Sequence, residues 1–134
     1  MRRAPAFAAL LALAAALPAL AGDAATLAPG TLQQRLAWGD RSLVVLDVRT
    51  AEEFAEGHVA GARNVPHTEI AARLAELEDA RDRDVVVYCR SGRRSEMALE
   101  ALRQAGFTRL FHLEGDWLRW SAEKRPAVTA PPQP

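Results

Sequence analysis

Two unbroken apolar runs, Leu43-Val44-Val45-Leu46 and Val85-Val86-Val87-Tyr88, limit what this chain can fold into. Neither alternates with polar residues, so each suits a short strand covered on both faces, as strands are in a parallel sheet. Helical patterns lie around them. Leu32 and Leu36 are one turn apart between a Thr31 cap and Gly39-Asp40. Ile70, Leu74 and Leu77 mark the buried stripe of a helix begun by Thr68. Met97, Ala98, Ala101, Leu102 and Ala105 mark the buried face of a helix from Glu96 to Ala105, stopped at Gly106. Leu110-Phe111-His112-Leu113 has the pattern of a last strand, and Gly115 to Trp120 that of a turn and a short helix anchored by Trp117 and Trp120. Strands alternating with helices predict an α/β fold with a mostly parallel central sheet flanked by helices.

Between the two apolar runs, Thr50 is predicted to cap a short helix with Glu53 as its reciprocal partner, and Gly57 to end that helix in the left-handed conformation. Val65 precedes Pro66 and is pushed to an extended backbone, which predicts a short strand. Glu78 to Asp84 mixes charges of both signs and is expected to be a solvated connector.

The ends differ in composition from this middle. Met1-Arg2-Arg3 is followed by an apolar stretch from Ala6 to Leu17, too short to span a bilayer, and then by Pro18 and Ala19-Leu20-Ala21. That is the pattern of a secretory signal over residues 1–21, which predicts a periplasmic or secreted protein with no membrane attachment once the signal is removed. Residues 22–30 are expected to be a linker, 31–122 the domain, and 123–134 a disordered Pro-rich tail. Without residues 1–21 the chain has 15 basic and 17 acidic residues, a net charge of −2. That offers no basic patch for nucleic acid.

The second apolar run feeds Cys89-Arg90-Ser91-Gly92-Arg93-Arg94-Ser95, which begins with the one cysteine of the protein. A strand, a tight loop and a helix in succession aim the loop's backbone N–H groups at whatever anion sits there. The helix end and the arginines Arg90, Arg93 and Arg94 are expected to favour thiolate over thiol at Cys89. In an oxidising compartment a lone cysteine has no intramolecular partner, so it stays free, is modified, or is reduced by another molecule. The candidate catalytic residue is therefore Cys89, in an anion cradle formed by Arg90 to Ser95.

Three segments in order, Asp47-Val48-Arg49 through Pro66, Cys89-x-x-Gly92-x-Arg94-Ser95, and Leu113-Glu114-Gly115-Asp116-Trp117-Leu118-Arg119-Trp120, resemble the rhodanese domain, a sulfurtransferase fold. The likeness spans residues 31 to 120. It departs at Asp116, where the family usually has a second glycine; the departure is expected to alter the turn and leave the chemistry untouched. The resemblance implies that Cys89 takes a sulfane sulfur from a small anionic donor such as thiosulfate, holds it as a persulfide, and passes it to a thiophilic acceptor such as cyanide, a thiol or a protein thiol. It implies no cofactor and no metal. Arg94 matches the family's loop-closing arginine, and its guanidinium is expected to tie the loop to a carboxylate such as Asp47. Arg90 and Arg93 are read equally as rim groups that steer an anion and as solvated arginines. Ser95 is read as a helix cap, and Arg49 as a salt-bridge partner or a second anion contact.

Competing functions come from the same residues. Cysteine-dependent phosphatases and arsenate reductases of the related fold have one more residue between cysteine and arginine than the four found here, Arg90 to Arg93. The smaller cradle suits sulfur better than a tetrahedral oxyanion. A rhodanese-fold binding module, or a persulfide carrier serving a partner protein, is the other alternative, since a fold alone never proves turnover. His58, His67 and His112 are too far apart in sequence to form a local metal pair, and each is expected to be a structural histidine.

Overall fold

The computed structural model describes residues 2–5 and 24–130. Five parallel strands form the central sheet in the order β1-β6-β5-β2-β4. They are β1 (Ala25–Leu27), β2 (Leu43–Asp47), β4 (Arg63–Asn64), β5 (Asp84–Tyr88) and β6 (Leu110–Leu113). β2 and β5 are the two unbroken apolar runs, and they lie side by side with Leu43 opposite Asp84 and Asp47 opposite Tyr88. Their side chains divide between two cores. Val44, Leu46, Val85 and Val87 pack on one face with Ala98, Leu99 and Leu102; Leu43, Val45, Val86 and Tyr88 pack on the other with Leu32 and Trp120. Both faces are covered by helices, as the absence of alternation required.

The helices are α1 (Pro29–Ala37), α2 (Ala51–Glu56), α3 (Arg93–Gln104) and α4 (Asp116–Ala122). Thr50 and Glu53 form the reciprocal capping box at the start of α2. Gly57, expected in the left-handed conformation, has φ 165 and is extended. Its glycine identity serves a close approach instead, because a Cβ there would lie 3.2 Å from the Trp117 ring. α3 begins at Arg93, before the expected Glu96, and its buried face runs through Ser95, Ala98, Leu99 and Leu102, which leaves Met97 54% exposed. In place of an α-helix after Thr68, two 3-10 segments run over His67–Glu69 and Ala71–Ala80. Leu74, Leu77 and Ala80 recur every third residue, the spacing that a three-residue turn stacks on one face, and all three pack into the first core.

Two ordered pieces were not expected. Within the supposed linker, Ala25–Leu27 pairs with Phe111–Leu113 as β1, and α1 begins at Pro29 behind Ala28 rather than at a Thr31 cap. Within the supposed tail, β7 (Ala127–Val128) pairs antiparallel with β3 (His58–Val59). The buried Trp120 indole N–H needs an acceptor and finds the Pro126 carbonyl at 2.9 Å, which draws the chain back toward β3. The proposed signal segment falls, apart from residues 2–5, outside the described residues. No helix among the described residues is long and apolar enough to cross a membrane.

Candidate active site

β5 delivers Cys89 to the carboxyl edge of the sheet, where a crevice is the usual ligand position in such folds. Cys89 is 1% exposed and lies at the base of the loop, while Arg90, Ser91 and Arg93 are exposed on its rim. Gly92 is the residue that turns the chain into α3. Its φ of 122 is a conformation that side chains with a Cβ rarely adopt, and its N–H donates to the Cys89 Sγ at 3.0 Å. A thiolate or a persulfide at this position meets a backbone donor and the positive end of a twelve-residue helix. The loop is clamped from the other side by α4: Trp117 N–H donates to the Cys89 carbonyl at 3.0 Å and Leu118 N–H to that of Arg90 at 3.1 Å.

Arg94 closes the loop on a different carboxylate from the one expected. Its two terminal nitrogens donate to Glu53 Oε1 at 2.6 Å and Oε2 at 3.0 Å, and this pairing, above all, holds the Glu53 carboxyl down at about 2. Asp47 is already taken. Arg49 donates to it from Nε at 3.0 and 3.1 Å and from Nη2 at 2.6 Å, and the Arg49 backbone N–H adds a further bond at 2.9 Å. The Arg49 guanidinium also donates to the Gly57 carbonyl at 2.7 Å and stacks over Trp117 at 4.7 Å and Tyr88 at 5.6 Å. Arg49 is therefore a buried salt-bridge partner. Tyr88 accepts the Val59 N–H at 3.0 Å, and burial pushes its phenol up.

Beside the loop is a cavity of about 340 Å³ lined by Arg49, Glu53, Glu56, Gly57, Arg90 and Trp117. Arg49 is held by Asp47 and Gly57, while Arg90, the other cation of the wall, is exposed. Of the histidines, His58 stacks on Phe54 at 3.5 Å and donates from Nδ1 to the Phe54 carbonyl at 2.7 Å, while His67 begins the first 3-10 segment.

His112 lies in β6 and Asp116 at the start of α4, as the sequence suggested, but Asp116 makes contacts that the sequence did not. Asp116 is 2% exposed, and its Oδ1 accepts the Cys89 backbone N–H at 2.9 Å and the Ser95 hydroxyl at 2.8 Å. Ser95 is thus inside α3, tied to Asp116, and the cap of α3 is Gly92. His112 Nε2 donates to Asp116 at 3.0 Å and 2.9 Å, and the carboxylate raises the histidine's pKa against the opposing effect of burial. Asp116, the one departure from the family pattern, touches the cysteine itself. The departure was the available signal.

An α/β domain with a cysteine at the end of a central parallel strand, curled under a glycine into a helix, defines a class. Residues 28–123 match the rhodanese-like domain family, and the chain belongs to it. A sulfurtransferase of Allochromatium vinosum is 39% identical over 98 residues, covering 73% of this chain and 89% of that protein. The crystal structure of the Alr3790 protein of Anabaena sp. has a TM-score of 0.71 at 30% identity, covering 78% of this chain and 82% of that one. A thiosulfate sulfurtransferase of Pseudomonas aeruginosa has a TM-score of 0.69 at 25% identity, over 81% of this chain but 20% of that longer one.

Proposed function

We propose that this chain is a thiosulfate sulfurtransferase that works through a persulfide on Cys89. The Cys89 thiolate attacks the outer sulfur of thiosulfate; the S–S bond to the sulfite sulfur breaks, and sulfite leaves with the bonding electron pair. The enzyme then carries Cys89–S–S⁻. Cyanide or a thiolate attacks the terminal sulfur, the persulfide bond breaks, and Cys89 regains its electron pair as thiolate. No proton, metal or external electron is needed in the cyanide cycle.

The observation that carries this reading is the Gly92 N–H donating to Sγ at 3.0 Å at the start of α3, which supports negative charge on sulfur. Arg90, exposed in the cavity wall, supplies a charge to draw in a dianionic donor. The four residues between Cys89 and Arg94 make a tight loop, which fits a sulfur atom.

Intact mass of the protein after thiosulfate, and again after cyanide, tests the route. Wild type is expected to gain about 32 Da on Cys89 and to lose it to cyanide, with Cys89→Ser unchanged throughout. A folded wild type with a free thiol and no gain would overturn thiosulfate as the donor.

A further inference from the structure

Asp116 combines three features that a helix-starting residue does not need. It is buried, it has a positive φ of 51 directly after Gly115 at φ 79, and it points away from its own helix into the cysteine loop. A left-handed aspartate persists only where its surroundings hold it. A buried carboxylate is costly unless its oxygens are satisfied. Here Oδ1 takes the Cys89 N–H and the Ser95 hydroxyl, and Oδ2 takes His112 Nε2.

The contact extends along the loop. A Cβ placed on Gly92 would lie 3.2 Å from Asp116 Oδ2 and 3.5 Å from His112 Cε1. Asp116 therefore holds the loop where Cys89 starts it and where Ser95 leads it into α3, and with His112 it fills the space that a side chain at Gly92 would need. The same Gly92 donates its N–H to Sγ.

We propose that Asp116 is the positioning residue for Cys89: its carboxylate, fixed by His112, anchors the loop from beneath so that Sγ stays on the Gly92 N–H. The sulfur-transfer role of this loop rests on the function proposed above; the positioning of the thiol does not. Asp116 acts as an acceptor: it fixes the backbone of Cys89 and, through the Ser95 hydroxyl, the first turn of α3. Of the other charged groups nearby, Asp47 is paired with Arg49 and Arg94 with Glu53, while Arg90 and Arg93 are exposed on the rim. Glu96, in the first turn of α3, acts on His112 in the same sense as Asp116.

Two substitutions separate the acceptor from the charge. Asp116→Asn keeps the Oδ1 acceptor, offers an N–H to a neutral His112, tolerates the left-handed backbone, and removes the charge. Asp116→Gly relieves the backbone and removes the acceptor. The rate of Cys89 alkylation by iodoacetamide at one fixed pH reads the thiol without any sulfur donor, and thermal unfolding reports the fold. In Asp116→Asn the alkylation rate and sulfur uptake from thiosulfate are both expected to stay within about threefold of wild type. In Asp116→Gly uptake is expected to fall about tenfold or more in a folded protein, because the Cys89 N–H has lost its acceptor. A tenfold loss of alkylation rate or uptake in a folded Asp116→Asn would overturn the proposal, as would undiminished uptake in a folded Asp116→Gly. Should Asp116→Gly fail to fold, the Asp116→Asn rates decide alone. A wild type that alkylates normally yet takes no sulfur from thiosulfate overturns the donor assignment, and the alkylation rates still judge Asp116.

Discussion

Two buried carboxylates flank the cysteine loop, and they are built differently. Asp47, at the end of β2, is fully buried and bound by a guanidinium that is itself sandwiched against Trp117 and Tyr88. Asp116, at the start of α4, is 2% exposed and bound by an imidazole and by the loop itself. Arginine stays charged at every pH a protein survives, so the Asp47 side of the site is electrostatically constant. Histidine can give up its proton where arginine cannot, so the Asp116 side is the one whose charge can change with pH, with the carboxylate holding the His112 proton more tightly than usual. The constant pair places Arg49 in the cavity wall. The variable pair is bound to the cysteine loop through Asp116.

The largest effect expected from this contrast is on folding. Asp47→Ala would leave the Arg49 guanidinium, 3% exposed, buried with the Gly57 carbonyl as its remaining polar partner. Breaking one side of such a pair costs about 3–5 kcal/mol, because the surviving charge is uncompensated. Denaturation in urea measures it directly. A loss below about 1 kcal/mol would reduce the pair to the level of a surface contact and erase the distinction between the two carboxylates.

How much of this was legible in the sequence depends on the range of each interaction. β2 and β5 announced themselves, because a strand buried on both faces must be apolar throughout. The Thr50–Glu53 capping box was legible because its partners are three residues apart. β1 and β7, of three and two residues, carry no pattern of their own and exist because β6 and β3 present edges to them. Met97 is apolar and spaced with Ala101, but the face that packs runs through Ser95, Ala98, Leu99 and Leu102, and the polar Ser95 is buried only because Asp116 accepts its hydroxyl. At the site, the loop was visible as a contiguous motif and its supports were not. Arg94 reaches Glu53 across 41 residues, and Cys89 reaches Asp116 across 27. Glu53 was already accounted for as a cap, and Asp47 was the more conspicuous strand-end carboxylate, so local reasoning joined Arg94 to the wrong acid.

A pH titration of stability sharpens the comparison with a smaller effect. The Asp116 carboxylate raises the pKa of His112 above its ordinary 6.5. A raised histidine contributes stability that is fully present below 6.5 and is lost as pH rises through the folded-state value. The stability of wild type relative to His112→Asn is therefore expected to be greatest below pH 6.5 and to decline above it. The difference between wild type and Asp47→Ala should stay flat over that window, because Arg49 does not titrate there. A His112 difference that is flat, or that grows with rising pH, would mean that the imidazole carries no charge against Asp116 and that the two carboxylates behave alike.

The smallest effect belongs to the third carboxylate, Glu53, whose pair with Arg94 closes the loop from the solvent side with side chains 29% and 25% exposed. Glutamine at this position retains the capping geometry toward Thr50, so Glu53→Gln removes the charge and leaves the helix start intact. Water and salt screen a pair this exposed, and the loss at neutral pH should be under about 1 kcal/mol. Its sign in acid is opposite to that of His112 in base. Glu53 falls from an ordinary 4.5 to about 2, so its contribution is complete above pH 4.5 and disappears as pH drops toward 2. Urea midpoints of wild type and Glu53→Gln should run parallel from neutrality to pH 4.5 and converge below it. A separation of several kcal/mol would place Arg94–Glu53 with Asp47–Arg49 among the pairs that hold the fold, whereas a small loss at neutral pH that vanishes in acid makes it a surface latch on the loop.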